Sequence, residues 1–210
     1  MTTADGCSVE LYTLLPPAGE AEIVHAAVPA GAAVLDLGCG TGRVAHGLMA
    51  LGHPVTAVDD SPEMLAHVRA ERVCSRIEDL RLDRRFDAVL LASHLINAPD
   101  SAPVLAAVAR HLAPGGRAIV EWHPPAWFDT VEDGAGGVLG EVGIRLSGIA
   151  RDADLLEATV RYTAHGRSWA QSFTARRLDQ PQLEALLAGA GLVFDRFLTP
   201  TATWFSASSD

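Results

Sequence analysis

Five short apolar runs, at residues 32–37, 54–59, 72–76, 86–92 and 117–122, recur with room for about one helix between neighbours. They read as continuous apolar runs, the pattern of strands covered on both faces of a parallel sheet. The intervening segments carry helix signals. Thr41 is placed to cap a helix over 42–51, with Gly52 after its end. Ser61-Pro62-Glu63 supplies a cap, a proline at the first helical position and an acid facing the dipole. A further helix is expected over 101–112, closed by Pro114-Gly115-Gly116. Repeated strand–helix–strand units of this length imply an α/β, doubly wound, mostly parallel sheet.

The rhythm changes after Pro124-Pro125. The stretch GAGGVLGEVG (134–143) reads as a flexible loop, and three alternating runs follow: GIRLSGIA, LLEATVRYTA and SWAQSFTARRL. The break His165-Gly166-Arg167 looks like a hairpin turn. A small antiparallel insertion is therefore expected between 139 and 178, within one domain spanning 1–210. A helix over 180–190 ends at Gly191. VFDRFL and ATWFSA, separated by Thr199-Pro200-Thr201, then close the chain as a hairpin and bring the main sheet to seven strands. The segment 124–178 is expected to lid the site.

Composition narrows the partners. The 210 residues are 49% hydrophobic and 20% charged, a globular balance. The net charge of −10 and the lack of any long basic run argue against nucleic acid and against an acidic membrane surface. The start MTTADGCSVE has neither a basic nor an apolar stretch of the signal-peptide kind, and Cys7, Cys39 and Cys74 show no paired spacing. Both point to a reducing, cytoplasmic setting. The chain has no lysine, which removes Schiff-base chemistry and a phosphate-loop lysine.

The run VLDLGCGTGR (34–43) leads a buried strand into a glycine-rich turn. In a dinucleotide fingerprint the third glycine packs helix against strand, and aligning Gly38 and Gly40 with the first two would put Arg43 there, a poor place for a long side chain. The observed series Asp36, Gly38, Gly40, Gly42 is instead acid-x-G-x-G-x-G. That pattern resembles motif I of the class I S-adenosylmethionine-dependent methyltransferases. The likeness continues in AVDDSPEML, where Asp59 stands seventeen residues past Gly42 and a carboxylate can accept from both ribose hydroxyls. RIEDLRL, FDAVLLA and LAPGGRAIVEW resemble the following family segments, so the likeness covers about residues 34–122.

The resemblance implies a Rossmann-like fold, S-adenosyl-L-methionine as cofactor and methyl transfer to a small-molecule acceptor. Glycines let the backbone approach the methionyl part, and Asp36 favours its cationic end. The implied cofactor set is Asp36, Gly38, Cys39, Gly40 and Arg43 at the turn, Asp59, Asp60 and Met64 at the ribose and adenine, Ser93, and at the adenine either Glu78 or Asp79 or the backbone of Ile77 alone. Arg76 stands where family members often carry an acid. Tyr12 is expected to close over the methionyl end, as N-terminal tyrosines do in similar enzymes.

In open α/β sheets the ligand lies beyond the carboxyl ends of the strands. Two polar clusters sit there, Ser93-His94-Leu95-Ile96-Asn97 and Glu121-Trp122-His123-Pro124-Pro125-Ala126-Trp127. His94 and His123 are the two candidate bases; Trp127 is a candidate stacking wall and Asn97 a candidate acceptor contact, while Glu121 reads as structural. Tyr162, Arg167, Trp169 and Phe173 either line a pocket or form the core of the antiparallel layer. HPPAW superficially resembles the NPPY motif of adenine-directed DNA methyltransferases but follows the fifth strand and not the fourth. No metal spacing of the HExxH or paired Cys/His kind appears, so no metal is expected. A monomer or homodimer is expected. Two other readings stay open: a methyltransferase-fold protein that binds the cofactor without transfer, as cyclases or sensors do, and an NAD-dependent oxidoreductase.

Overall fold

The computed structural model describes residue 3 and residues 6–209. In chain order the elements are α1 (Val9–Leu14), α2 (Glu20–Ala27), β1 (Val34–Leu37), α3 (Arg43–Ala50), β2 (Val55–Asp59), α4 (Pro62–Leu65), β3 (Glu71–Cys74) and β4 (Phe86–Leu91). A 3-10 turn follows at Leu95–Asn97, then α5 (Ala102–His111), β5 (Leu112–Glu121) and α6 (Pro125–Thr130). The remainder is β6 (Gly136–Leu139), β7 (Val142–Asp152), β8 (Leu155–Ala164), β9 (Arg167–Arg176), α7 (Gln180–Gly189), β10 (Leu192–Phe197) and β11 (Trp204–Ser209).

Seven strands form the main sheet in the order β10-β11-β5-β4-β1-β2-β3. β1 to β5 run parallel, and the β10–β11 hairpin adds antiparallel through β11 to β5. The apolar runs alternate between two cores because successive side chains leave opposite faces. Leu35, Val89 and Val120 pack with Leu105 of α5 and Leu183 of α7. Val34, Ala88 and Ile119 pack with Val24 of α2 and Leu48 of α3. Each fully buried Leu or Val contributes roughly 1.5–3 kcal/mol relative to exposure.

The expected α/β sheet and closing hairpin are present, and several local expectations are corrected. α3 begins at Arg43 with Gly42 in the left-handed conformation at its cap; the Thr41 hydroxyl donates instead to the Tyr12 carbonyl at 3.1 Å. β3 is not a run buried on both faces: it is the sheet edge, and most of its residues are exposed. Pro114-Gly115-Gly116 does not stand apart from β5, because buried Leu112 already pairs with Phe86 beyond a register shift. GAGGVLGEVG is no loop. It holds β6, a turn and the start of β7, so the second sheet has four strands, β6-β7-β8-β9. α1 and α2 carry no strong sequence signal; tertiary contacts hold them.

The hairpin between β8 and β9 turns where expected, with His165 and Gly166 both at positive φ. Register places Ile144, Tyr162 and Trp169 in one row, and Leu146, Val160 and Gln171 in the next, on the same face. That face is apolar and meets two groups of side chains. Phe128, Val131 and Trp127 cover Leu156, Ala158 and Phe173, while Leu11 and Tyr12 of α1 cover Val142, Tyr162 and Trp169. Tyr162, Trp169 and Phe173 are thus part of the packed face, and Arg167, opposite Ala164 at the hairpin end of β9, forms an ion pair with Glu10.

Candidate active site

The glycine-rich turn is shaped by hydrogen bonds across the carboxyl ends of β1 and β2. The N–H groups of Gly38 and Cys39 both donate to the Val58 carbonyl at 2.9 Å. The Asp59 carboxylate accepts from the Gly40 N–H at 2.8 Å and from the Ser61 N–H at 3.0 Å. Gly38, Gly40 and Gly42 have φ of 73°, 54° and 84°, a region L side chains avoid. Space is also closed at Gly38: a β-carbon there would stand 2.9 Å from Leu95 and 3.6 Å from Ile77. At Gly40 it would meet the Tyr12 ring at 3.5 Å. Tyr12 therefore lies over the turn.

Acids surround this turn. Asp36 shares the parity of Val34, which packs toward α2 and α3. It is 2% exposed, and its Oδ2 is buried with no hydrogen-bond partner. Burial, then the neighbouring Asp59, push the Asp36 carboxyl up to about 7, against the pull of Arg43. A buried acid with an unmatched oxygen beside a glycine cradle fits a ligand with a cationic end. The Cys39 thiol is pushed up by burial and by Asp36 and Asp59, so it stays neutral.

The second half of the site lies beyond β4 and β5. Ser93 and His94 are consecutive non-glycine residues, each at φ 57°, and such strain persists where surrounding structure enforces it. The enforcing bond is from the Ser93 N–H to Glu121 Oε2, 2.7 Å. The His94 ring stacks on His123 with centroids 3.5 Å apart, and His123 stacks on Trp127 at 3.8 Å, interplanar angles being 20° and 7°. Burial lowers His94 to about 4, with the Trp122 backbone opposing; burial and then His94 lower His123 to about 3. Both rings are neutral at neutral pH. His94 Nε2 lies 3.7 Å from Glu121 Oε1, and His94 Nδ1 is buried without a hydrogen-bond partner.

The structure gathers Tyr12, Asp36, Gly38, Cys39, Gly40 and Asp59 at the turn, with Ile77 over Gly38 and Ser93, His94, His123 and Trp127 across from it. Four expected contacts are redirected. Arg43 is taken up by an ion pair with Glu20, which is largely buried and needs a counter-charge, and by the Pro16 carbonyl at 3.4 Å. It clasps α2 to the turn. Met64 is 3% exposed beneath Cys7 and Val9, closed off by the N-terminal segment. Glu78 reaches Arg76 at 3.4 Å, so the residue standing in the family's acidic position is itself paired to an acid. Asn97 is 1% exposed: its amide donates to the carbonyls of His123 and Arg176 at 3.3 and 3.0 Å, and its Oδ1 accepts from the His123 N–H at 2.7 Å. It holds the stack's loop in place and has no side toward an acceptor. Asp60 is exposed beside Asp59.

Sequence reasoning missed Glu121 as a site residue. Its signal was positional, since like Asp59 it is an acid at the last residue of a parallel strand. It also missed Leu95 over Gly38, and Gln171, whose amide donates to Cys7 Sγ at 3.0 Å; no local pattern marks either.

Residues 34–116 match the family model described as a methyltransferase domain. A ubiquinone biosynthesis O-methyltransferase from Xanthomonas axonopodis pv. citri is 36% identical over 126 residues, covering 54% of this chain and 52% of that protein. The chain thus spans about half the length of the first curated relatives it matches. A cypemycin N-terminal methyltransferase from Streptomyces is 33% identical over 156 residues, covering 66% and 64%. Among solved structures, the CcbJ methyltransferase from Streptomyces caelestis shares the fold at a TM-score of 0.76 and 22% identity, over 96% of this chain and 95% of that one. An amino pentose methyltransferase from Micromonospora echinaspora, solved with S-adenosylmethionine bound, has a TM-score of 0.68 and 25% identity, covering 90% and 88%. The strand order, the glycine turn and the acid after β2 agree with these likenesses, which support a class I S-adenosylmethionine-dependent methyltransferase with its methyltransferase domain over residues 34–116.

Proposed function

We propose that this protein binds S-adenosylmethionine on the Gly38–Gly42 turn and transfers its methyl group to a nucleophilic atom of a small molecule held under the four-stranded sheet. The carrying observation is the Asp59 carboxylate, bonded to Gly40 and Ser61 N–H groups and so fixed at the end of β2. A carboxylate held in place at the end of β2 suits a pair of ribose hydroxyls. The cofactor supplies an electrophilic methyl on a sulfonium; the chain's own task is alignment and exclusion of water. Asp36 supplies an acceptor oxygen for the methionyl ammonium, whose charge favours the ionised carboxylate, and Tyr12 covers the turn. Gly38 is screened by Leu95 and Ile77.

The lid reading of 124–178 is supported by its contacts: β7–β9 bury one apolar face against Trp127 and Phe128 of α6 and against Leu11 and Tyr12 of α1. The stacked imidazoles present a flat polar wall between lid and sheet. The similar proteins include an O-methyltransferase, an N-terminal methyltransferase and an amino pentose methyltransferase. Calorimetric titration of S-adenosylmethionine and S-adenosylhomocysteine into the wild type and Asp59→Ala tests the reading. Saturable binding is expected, weakened by about 2 kcal/mol or more in the variant, for loss of hydrogen bonds to a charged group. Absence of heat with either ligand in folded wild-type protein overturns it.

A further inference from the structure

Glu121 brings a negative charge to the place where the two halves of the site meet. Its side chain is 18% exposed. One carboxylate oxygen is fixed by the Ser93 N–H, and the other faces His94 Nε2 at 3.7 Å. Burial raises its pKa, with the Ser93 N–H opposing. The Arg43 guanidinium is taken by Glu20. The His94 ring that Glu121 faces is itself held by stacking on His123, and His123 by stacking on Trp127. A largely buried carboxylate against a neutral imidazole, with the Arg43 guanidinium already paired to Glu20, is a site for a cation.

The direction of charge movement in the reaction decides what that cation is. Attack by an oxyanion would require a negative oxygen beside Glu121, and like charges oppose one another. Attack by an amine moves positive charge from sulfur onto nitrogen, where a fixed carboxylate stabilises it as it develops. We propose that the acceptor is an amine that enters as its ammonium ion, with Glu121 as its counter-charge. This deepens the methyl-transfer reading and rests on it. One proton leaves the ammonium for water at the rim, where about a third of the His94 side chain is exposed. The nitrogen lone pair then forms the new N–C bond while the methyl–sulfur bond breaks, its electron pair staying on sulfur. The product nitrogen is again cationic and still faces Glu121.

The test uses the full chain saturated with S-adenosylhomocysteine and two probes of one shape, benzylamine hydrochloride and benzyl alcohol, at pH 7. Side-chain NMR signals of His94, His123 and Trp127 report binding. The benzylammonium ion is expected to shift them saturably with an affinity roughly tenfold or more above that of the alcohol. Glu121→Gln, which keeps a carbonyl oxygen for the Ser93 N–H, is expected to erase most of that preference while S-adenosylhomocysteine affinity stays within about threefold. Equal binding of both probes, no response to either, or a preference retained in Glu121→Gln overturns the inference. So does a variant that loses S-adenosylhomocysteine affinity but keeps the preference, since Glu121 would then serve the cofactor. Failure of the wild type to bind S-adenosylhomocysteine at all removes the methyl-transfer reading itself, which separates the two failures.

Discussion

The parallel sheet and the antiparallel sheet hold their shares of the site by different physics. At the turn after β1, shape is set by backbone: three glycines at positive φ, and N–H groups tied to Val58 and Asp59 over short stretches of chain. Around the stack, shape is set by side chains meeting from far apart. Asn97 bonds His123 and Arg176, Glu121 bonds Ser93, and α1 packs on β7–β9. Substitutions at the turn should therefore act locally and on cofactor affinity. Substitutions under the lid should act on stability and on acceptor handling.

The largest effect should come from Gly38→Val. A β-branched residue at φ 73° is strained by about 1–3 kcal/mol, and its β-carbon meets Leu95 at 2.9 Å. Loss of measurable S-adenosylhomocysteine heat is expected by calorimetry, with melting lowered by roughly 2–10 °C. A folded Gly38→Val protein with unchanged affinity would break the turn half of the comparison.

Asn97→Ala probes the other half. It leaves the buried His123 N–H and the Arg176 carbonyl without their partner, which should cost about 1–3 kcal/mol in urea unfolding. Affinity for S-adenosylhomocysteine should barely change. If affinity instead falls as far as in Asp59→Ala, the two halves are coupled more tightly than their bonding suggests.

Stability against pH should separate two buried groups of opposite sign. His94 and His123, lowered to about 4 and about 3 from 6.5, bind fewer protons folded than unfolded. Their contribution is present above pH 6.5 and is lost as pH falls toward 4 and 3. Asp36, raised from 3.8 to about 7, does the reverse: its contribution is full below 3.8 and is lost as pH rises through 7. Urea unfolding between pH 4 and 8 should show His123→Asn flattening the acid side and Asp36→Asn flattening the decline toward pH 7. Unchanged slopes in both variants would contradict the burial of these groups.

The smallest effect belongs to Arg167→Ala. It removes an ion pair to Glu10 in which both side chains are well exposed, so about 1 kcal/mol or less is expected in chemical unfolding. A larger loss would mean that α1 depends on this clasp and not on Leu11 and Tyr12.

Much of the parallel half was legible because its signals are short-range. Apolar runs, caps and glycine spacing declare themselves within a few residues, whereas the strand order β10-β11-β5-β4-β1-β2-β3 came only from the structure. The lid was legible as alternation and as the His165-Gly166 turn, but β6 was not, since glycines at 136 and 137 read as loop until β7 supplies the ladder partner.

By itself the sequence determined the α/β sheet, the glycine turn with Asp59 after it, and the presence of His94, His123 and Trp127 at the ends of the fourth and fifth strands. Only the tertiary structure decided that the two histidines and the tryptophan stack, that Arg43 belongs to Glu20, that Met64 is closed off, that Asn97 is a fastening and that Glu121 faces His94. Backbone turns are written in neighbouring residues, whereas the partner of a buried side chain is chosen by whichever distant segment the fold brings against it.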